Sequence, residues 1–220
     1  MDKTIDHVTR QAVALSGDIA AGDAHPVEVD GAELVLWRDN EGKAHLWQDR
    51  CPHRGMRLSF GFVRDNRLTC LYHGWEFGTD GGCRKIPAHP EMAPPATLCA
   101  EVLPVSEAMG MIFAGPHVEI GVISDTWYPV RSVFLSCEPE AALDALKDVS
   151  WRKIDGVHLF EDGTLACAVQ RRGTDRCVLH LSTTDPSAEA RLRWARRLVG
   201  LRRMISEGED RWLSRRTKSP

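Results

Sequence analysis

No stretch of this 220-residue sequence approaches the ~20 consecutive apolar residues that a membrane helix requires. Its opening segment, MDKTIDHVTRQAVALSG, has no unbroken apolar core behind a basic head, so no secretory signal is expected. Charge of either sign is not in large excess: the formal net charge is only −3, which argues for neither a nucleic acid nor a membrane surface as partner. Basic and aromatic residues are not interleaved in the manner of nucleic-acid binders. The seven cysteines are odd in number and irregular in spacing, which favours thiols or metal ligands over a disulfide framework. What remains is a chain expected to be soluble and cytoplasmic, long enough for one large domain or two small ones with a hydrophobic core.

Against that background, two short segments stand out. CPHRGMRL begins at Cys51 and CLYHGW at Cys70, giving Cys51-x-His53 and Cys70-x-x-His73 with 16 residues between. Each has a glycine soon after its histidine, Gly55 and Gly74. Two cysteines and two histidines suit a tetrahedral zinc ion. The common zinc-finger order, however, pairs Cys with Cys and then His with His, whereas each segment here carries one of each. A mixed pair on two similar loops also suits a two-iron cluster, one iron taking both thiolates and the other both imidazoles. Glycine lets such loops turn tightly and bring backbone amides towards the cluster sulfides.

This pattern resembles the Rieske [2Fe–2S] domain, and CLYHGW is similar to the version found in Rieske non-heme iron oxygenases of the ring-hydroxylating type. The resemblance covers roughly residues 25–115, including the apolar stretches ELVLW and AHLWQ, the GFV…RLTC hairpin and WEFGTDGGCRKIPAHP. It implies a [2Fe–2S] cluster held by Cys51, His53, Cys70 and His73. Respiratory-chain Rieske proteins add a cysteine to each loop and bridge them; here those neighbourhoods hold Met56 and Tyr72. The high-potential type also carries Ser and Tyr hydroxyls where this chain has Trp75 and Phe77. Fewer donors imply a potential near the low end of the roughly −150 to +300 mV Rieske range. Arg54 and Trp75 stand where they would cover the histidine edge, although Trp75 suits ordinary packing equally. The other cysteines, Cys83, Cys99, Cys137, Cys167 and Cys177, read as small hydrophobes.

The expected fold is a mainly β N-terminal Rieske domain, an antiparallel sandwich with two cluster loops, followed by a smaller α+β part. The domain boundaries fall at 1–24 for an N-terminal helical arm, 25–118 for the Rieske domain and 119–220 for the remainder. The arm rests on Ile5, Val8, Ala12, Leu15 and Ile19 at helical intervals. In the last part, 172–175 marks a turn between two strands. Asp185 before Pro186 marks an N-cap, and Trp194, Leu198, Leu201 and Ile205 form one stripe of a long helix. Strands followed by that helix resemble a truncated helix-grip domain, the catalytic fold of these oxygenases. From 186 to 220 ten Lys or Arg face four acidic residues; this reads as a solvated helix face or as a docking surface for an acidic partner.

A complete oxygenase subunit of the resembling family also carries a mononuclear iron on two nearby histidines and a carboxylate. Beyond residue 116 only His117, His158 and His180 occur; Asp155-x-x-His158 opens such a motif, but Gly163 stands in the second histidine's place. The resemblance therefore implies an electron-transfer subunit in a hetero-oligomer. A flavin- or ferredoxin-type reductase would feed it, and an oxygenase subunit carrying the mononuclear non-heme iron would receive its electrons. The alternatives are a self-sufficient small oxygenase with an atypical iron site using His158 and His180, or a free-standing Rieske ferredoxin.

Overall fold

The computed structural model describes residues 9–115, 126–146, 150–154, 156–160 and 163–216, with side chains described as far as Ser206. The chain divides into two compact units, one of Met1–Ala108 with Ile112–Val118 and the other of Met109–Met111 with Glu119–Pro220. His117 lies outside the described residues.

The first unit is built of short antiparallel strands. These are β1 (Gln11–Leu15), β2 (Ala24–Val29), β3 (Ala32–Arg38), β4 (Ala44–Gln48), β5 (Phe62–Arg64), β6 (Arg67–Thr69), β7 (Glu76–Phe77), β8 (Cys83–Lys85), β9 (Val102–Leu103), β10 (Val105–Ala108) and β11 (Met111–Ala114). They form three sheets, in the orders β1-β11-β10, β2-β3-β4-β9 and β5-β6-β7-β8. Two hairpins arise from local sequence. Asp30-Gly31 and Asp65-Asn66 take positive φ at both turn positions, the conformation that joins twisted strands with two residues. The apolar stretch of β3 pairs with that of β4, setting Val35 opposite Trp47 and Trp37 opposite His45. Trp37, Trp47, Leu58, Leu68 and Phe77 are fully buried and share one core cluster with Cys51 and Cys70.

The helical arm expected at the N-terminus is corrected by the structure, as far as it is described. Ile5 and Val8 lie outside the described residues, but Ala12 and Leu15 stand on strand β1 and residues 16–18 form a 3-10 turn. Ala12, Leu15 and Ile19 are all buried, as the apolar stripe requires. The cause is tertiary: β1 pairs with β11, and Val13 and Ile19 join Leu34, Leu36, Leu46 and Ile112 in a second core cluster. The Arg38 guanidinium takes the carbonyls of Ser16 (3.0 Å) and Ile19 (3.0 Å), which a helix would have used itself. Weak helical propensity yields to such contacts.

Among its described residues, the second unit is an antiparallel sheet and two helices. Its elements are β12 (Tyr128–Leu135), α1 (Pro139–Asp144), β13 (Trp151–Ile154), β14 (Val157–Phe160), β15 (Leu165–Arg171), β16 (Cys177–Thr183) and α2 (Ala188–Arg216), with sheet order β12-β16-β15-β14-β13. The expected stripe of α2 is the face that packs: Leu198 and Leu201 are buried with Val133, Leu135, Leu179 and Leu181, and Trp194 and Ile205 border them. The cap is shifted from expectation. Ser187 Oγ accepts the Ala190 amide at 3.2 Å, while Asp185 Oδ1 accepts the Ser187 amide at 2.8 Å and so holds the capping residue in place. Among the described residues, no helix is long and apolar enough to cross a membrane.

Candidate metal centre

The Cys51 loop leaves β4 and the Cys70 loop joins β6 to β7. Both close the same backbone ring. The Cys51 amide donates to the Met56 carbonyl (2.8 Å) and the Gly55 amide to the Cys51 carbonyl (2.8 Å). In the second loop the Cys70 amide donates to Trp75 (2.9 Å) and the Gly74 amide to Cys70 (3.0 Å). Gly55 and Gly74 close these rings with φ of +72° and +68°, the left-handed region that glycine enters without strain.

Flanking residues hold each loop in space. Asp49, two residues before Cys51 and buried, accepts the Ser59 amide (2.7 Å) and hydroxyl (2.6 Å), fastening the 3-10 turn Leu58–Phe60 beneath the first loop. Gly61 then passes so close to β6 that a Cβ there would stand 2.1 Å from the carbonyl oxygen of Thr69, the residue before Cys70. On the second loop's far side, Glu76 is paired with Arg67 (2.9 Å) and Lys85 (3.2 Å), tying β6, β7 and β8 together.

The four residues singled out in the sequence come together, and they do so like with like. Cys51 and Cys70 are 3% and 2% exposed and share one buried cluster, near enough for the Cys70 thiol to raise the pKa of Cys51. The imidazoles of His53 and His73 meet edge to face with centroids 4.7 Å apart. His53 is half-buried and His73 exposed, so thiols occupy the inner end of the site and imidazoles the outer end. Trp75 stacks flat on His53 (4.2 Å, 6°), and Tyr72 stacks on His73 (3.9 Å, 30°). Burial, followed by the proximity of His73 and Arg54, holds His53 below its ordinary pKa and so in the neutral, ligating form. Burial pushes the Cys51 thiol up to about 11, opposed by hydrogen bonds from the backbone amides of His53 and Arg54, and the Cys70 thiol adds to the rise. Metal ligation removes such protons.

This donor set fits a two-iron cluster better than one zinc ion. Paired thiols at one end and paired imidazoles at the other match two centres of different softness. Two neighbours were not legible as such in the sequence. Cys99, exposed, lines a cleft beside the first loop together with Arg50, Cys51 and His53. Cys83 is buried in the same core cluster as the two loop thiols. Only the nearness of Cys83 in sequence hints at this; Cys99 gives no signal.

The histidines of the second unit do not meet. His158 on β14 stands opposite Cys167, which stands opposite Leu181; His180 on β16 stands opposite Ala168 and Ser132. Since facing residues share a side and successive residues along a strand do not, the two imidazoles lie on opposite faces of the sheet. His180 is a satisfied core residue. Its Nδ1 is 2.9 Å from Ser132 Oγ, its Nε2 is 3.2 Å from Gln170 Oε1, and burial lowers its pKa to about 4. Asp155 lies outside the described residues.

Comparison with known proteins agrees with this geometry. Residues 9–104 match the Rieske [2Fe-2S] domain family. Over 175 residues the chain is 32% identical to oxidoreductase NdmD of Pseudomonas putida, covering 73% of this chain and 30% of that protein. It is 39% identical over 105 residues to phenoxybenzoate dioxygenase subunit alpha of Ectopseudomonas oleovorans, covering 47% of this chain and 25% of that one. The chain thus spans less than a third of the length of these curated relatives. Among solved structures, Pseudomonas putida CBB5 NdmB has the same fold across 93% of this chain and 83% of its own, with a TM-score of 0.69 at 18% identity. Residues 9–104 are therefore a Rieske domain, of the kind that holds a Rieske-type [2Fe–2S] cluster, in a chain whose relatives and structural neighbours lie in the Rieske non-heme iron oxygenase family.

Proposed function

We propose that this chain is the electron-transfer component of a Rieske non-heme iron oxygenase system. It would take electrons from a flavin- or ferredoxin-type reductase and pass them to a mononuclear iron held by a partner subunit in a hetero-oligomer. The observation that carries this reading is the like-with-like pairing of the two loops, with its imidazole end at the surface. Cys51 and Cys70 would hold one iron as thiolates, and His53 and His73 the other as neutral imidazoles. Such a cluster supplies one-electron chemistry when bound. The residues around it do the rest. The amides of His53 and Arg54 favour the thiolate of Cys51, Trp75 and Tyr72 fix the imidazole planes by stacking, and the exposed His73 gives a partner somewhere to approach.

The relatives' names support a place in an oxygenase system, one being an oxidoreductase and another a dioxygenase subunit. A self-sufficient oxygenase would need a second iron site. His158 and His180 face opposite sides of their sheet, and His180 already has two polar partners, so they do not make one. The test is iron and acid-labile sulfide per chain after anaerobic purification. Two of each is expected, with the cluster reduced by an added reductase and no substrate turnover from this chain alone. Three irons with two sulfides, or turnover without a partner subunit, would overturn the division of labour.

A further inference from the structure

The second unit gathers two thiols at one corner of its sheet. Leu135 on β12 and Arg171 on β15 both stand opposite Cys177 on β16, and facing residues share a side of the sheet. Beyond Leu135 the chain bends at 136–137 and enters α1, whose Glu140 reaches back to Arg171 at 3.2 Å. Both ends of this short segment are therefore anchored beside Cys177, and Cys137 lies between them. The Cys137 side chain packs against the core cluster that contains Cys177, together with Ala142 and Leu146 of α1. Burial pushes the Cys177 thiol up to about 12, and the Cys137 thiol adds to the rise. The two differ in access: Cys177 is 1% exposed, whereas Cys137 is half-buried. Cys167, in the same cluster, is fully buried and stands opposite Leu181, four residues along β16 from Cys177.

We propose that Cys137 and Cys177 are a reversible redox pair, which a small aliphatic disulfide closes into an intramolecular bridge. Cys137 is the point of entry, because thiol–disulfide exchange needs access as well as a thiolate. Its thiolate attacks one sulfur of the small disulfide. That S–S bond breaks, and half of the reagent leaves as a thiolate that takes up the proton Cys137 lost. The Cys177 sulfur then attacks Cys137 Sγ, the mixed S–S bond breaks, and the second half leaves with the Cys177 proton. Two protein thiols are oxidised, and one small disulfide is reduced to two thiols. A buried thiol as hard to ionise as Cys177 is inert towards reagents in solution, so its place beside Cys137 is what lets it resolve the adduct. The bridge pins the entrance of α1 to the start of β16.

The test is anaerobic incubation of the full-length, cluster-loaded protein with glutathione disulfide, followed by alkylation of the remaining thiols and non-reducing peptide mass spectrometry. A peptide pair joined through Cys137 and Cys177 is expected, released by dithiothreitol, with iron and sulfide content unchanged. Cys177→Ser should stop the reaction halfway and hold Cys137 as a stable glutathione adduct. Cys137→Ser should slow modification of Cys177 at least about tenfold. Near-UV dichroism and a melting temperature matching the parent's would show that both variants fold, and the parent's bridge is read without them. A parent in which Cys137 stays as the glutathione adduct, or in which neither thiol reacts, would overturn the proposal. So would modification of Cys177 as fast in Cys137→Ser as in the parent, or a bridge that forms only in protein that has lost its iron.

Discussion

Phe77 is a residue at which the electronic character of the site can be tested. It is fully buried in the core cluster that contains Cys51 and Cys70, and it has no hydroxyl where high-potential relatives of this domain carry tyrosine. Phe77→Tyr is expected to raise the midpoint potential on the order of 40 mV, the equivalent of one hydrogen bond of about 1 kcal/mol to the reduced centre. A redox titration of variant against parent reads it, and an unchanged or lower potential would mean that the hydroxyl finds another partner. At this scale the sequence is at its most readable. Two cysteines and two histidines at paired spacing mark out a candidate metal site without any coordinates, and the resemblance to a known domain supplies the cluster. Cys99 shows the limit, because its place beside the first loop depends on a chain return 48 residues after Cys51 that no local pattern encodes.

The elements that carry the two loops pack tightly, and Gly61 is one place where that packing leaves no room. A methyl group there would meet the Thr69 carbonyl at 2.1 Å and that of Leu58 at 2.9 Å, both backbone atoms that cannot swing aside. Gly61→Ala is therefore expected to destabilise the first unit by about 2–3 kcal/mol and to lower iron retention, seen as a lower melting temperature and less than two irons per chain. Ser187→Ala, by contrast, should cost about 1 kcal/mol through α2 alone and leave iron content unchanged. Legibility at this scale is mixed, for physical reasons. The α2 stripe is clear because one face of a long helix must bury its apolar residues. The cap falls two residues later than the sequence suggests because Asp and Ser both accept from backbone amides, and only the fold decides which sits at the helix entrance. Strand β1 reads as helix because buried positions 12, 15 and 19 satisfy a helical period, while its sheet partner β11 lies some 100 residues away. The two metal loops share a ring rather than a motif. Cysteine and glycine are four apart in both, while histidine stands at the third position of one and the fourth of the other, so the ring is the repeated unit.

The molecule as a whole should be sensitive to acid through a group far in sequence from the metal loops. His180 is neutral in the fold, with its pKa lowered by burial from 6.5 to about 4. Above pH 6.5 it is neutral in the folded and unfolded chains alike. As pH falls from 6.5 towards 4, the unfolded chain takes up a proton that the folded chain refuses, so stability falls by on the order of 3 kcal/mol across that window. Urea unfolding of the parent and of His180→Asn at pH 7 and pH 4.5 reads this. The variant should lose less stability, and identical slopes would sink the assignment. The inward thiols and outward imidazoles have a consequence for traffic. A site with one exposed end has one doorway, so on the proposed function donor and acceptor must take turns at it. Turnover is then expected to rise with reductase concentration and afterwards fall, as waiting donors keep the acceptor from the door.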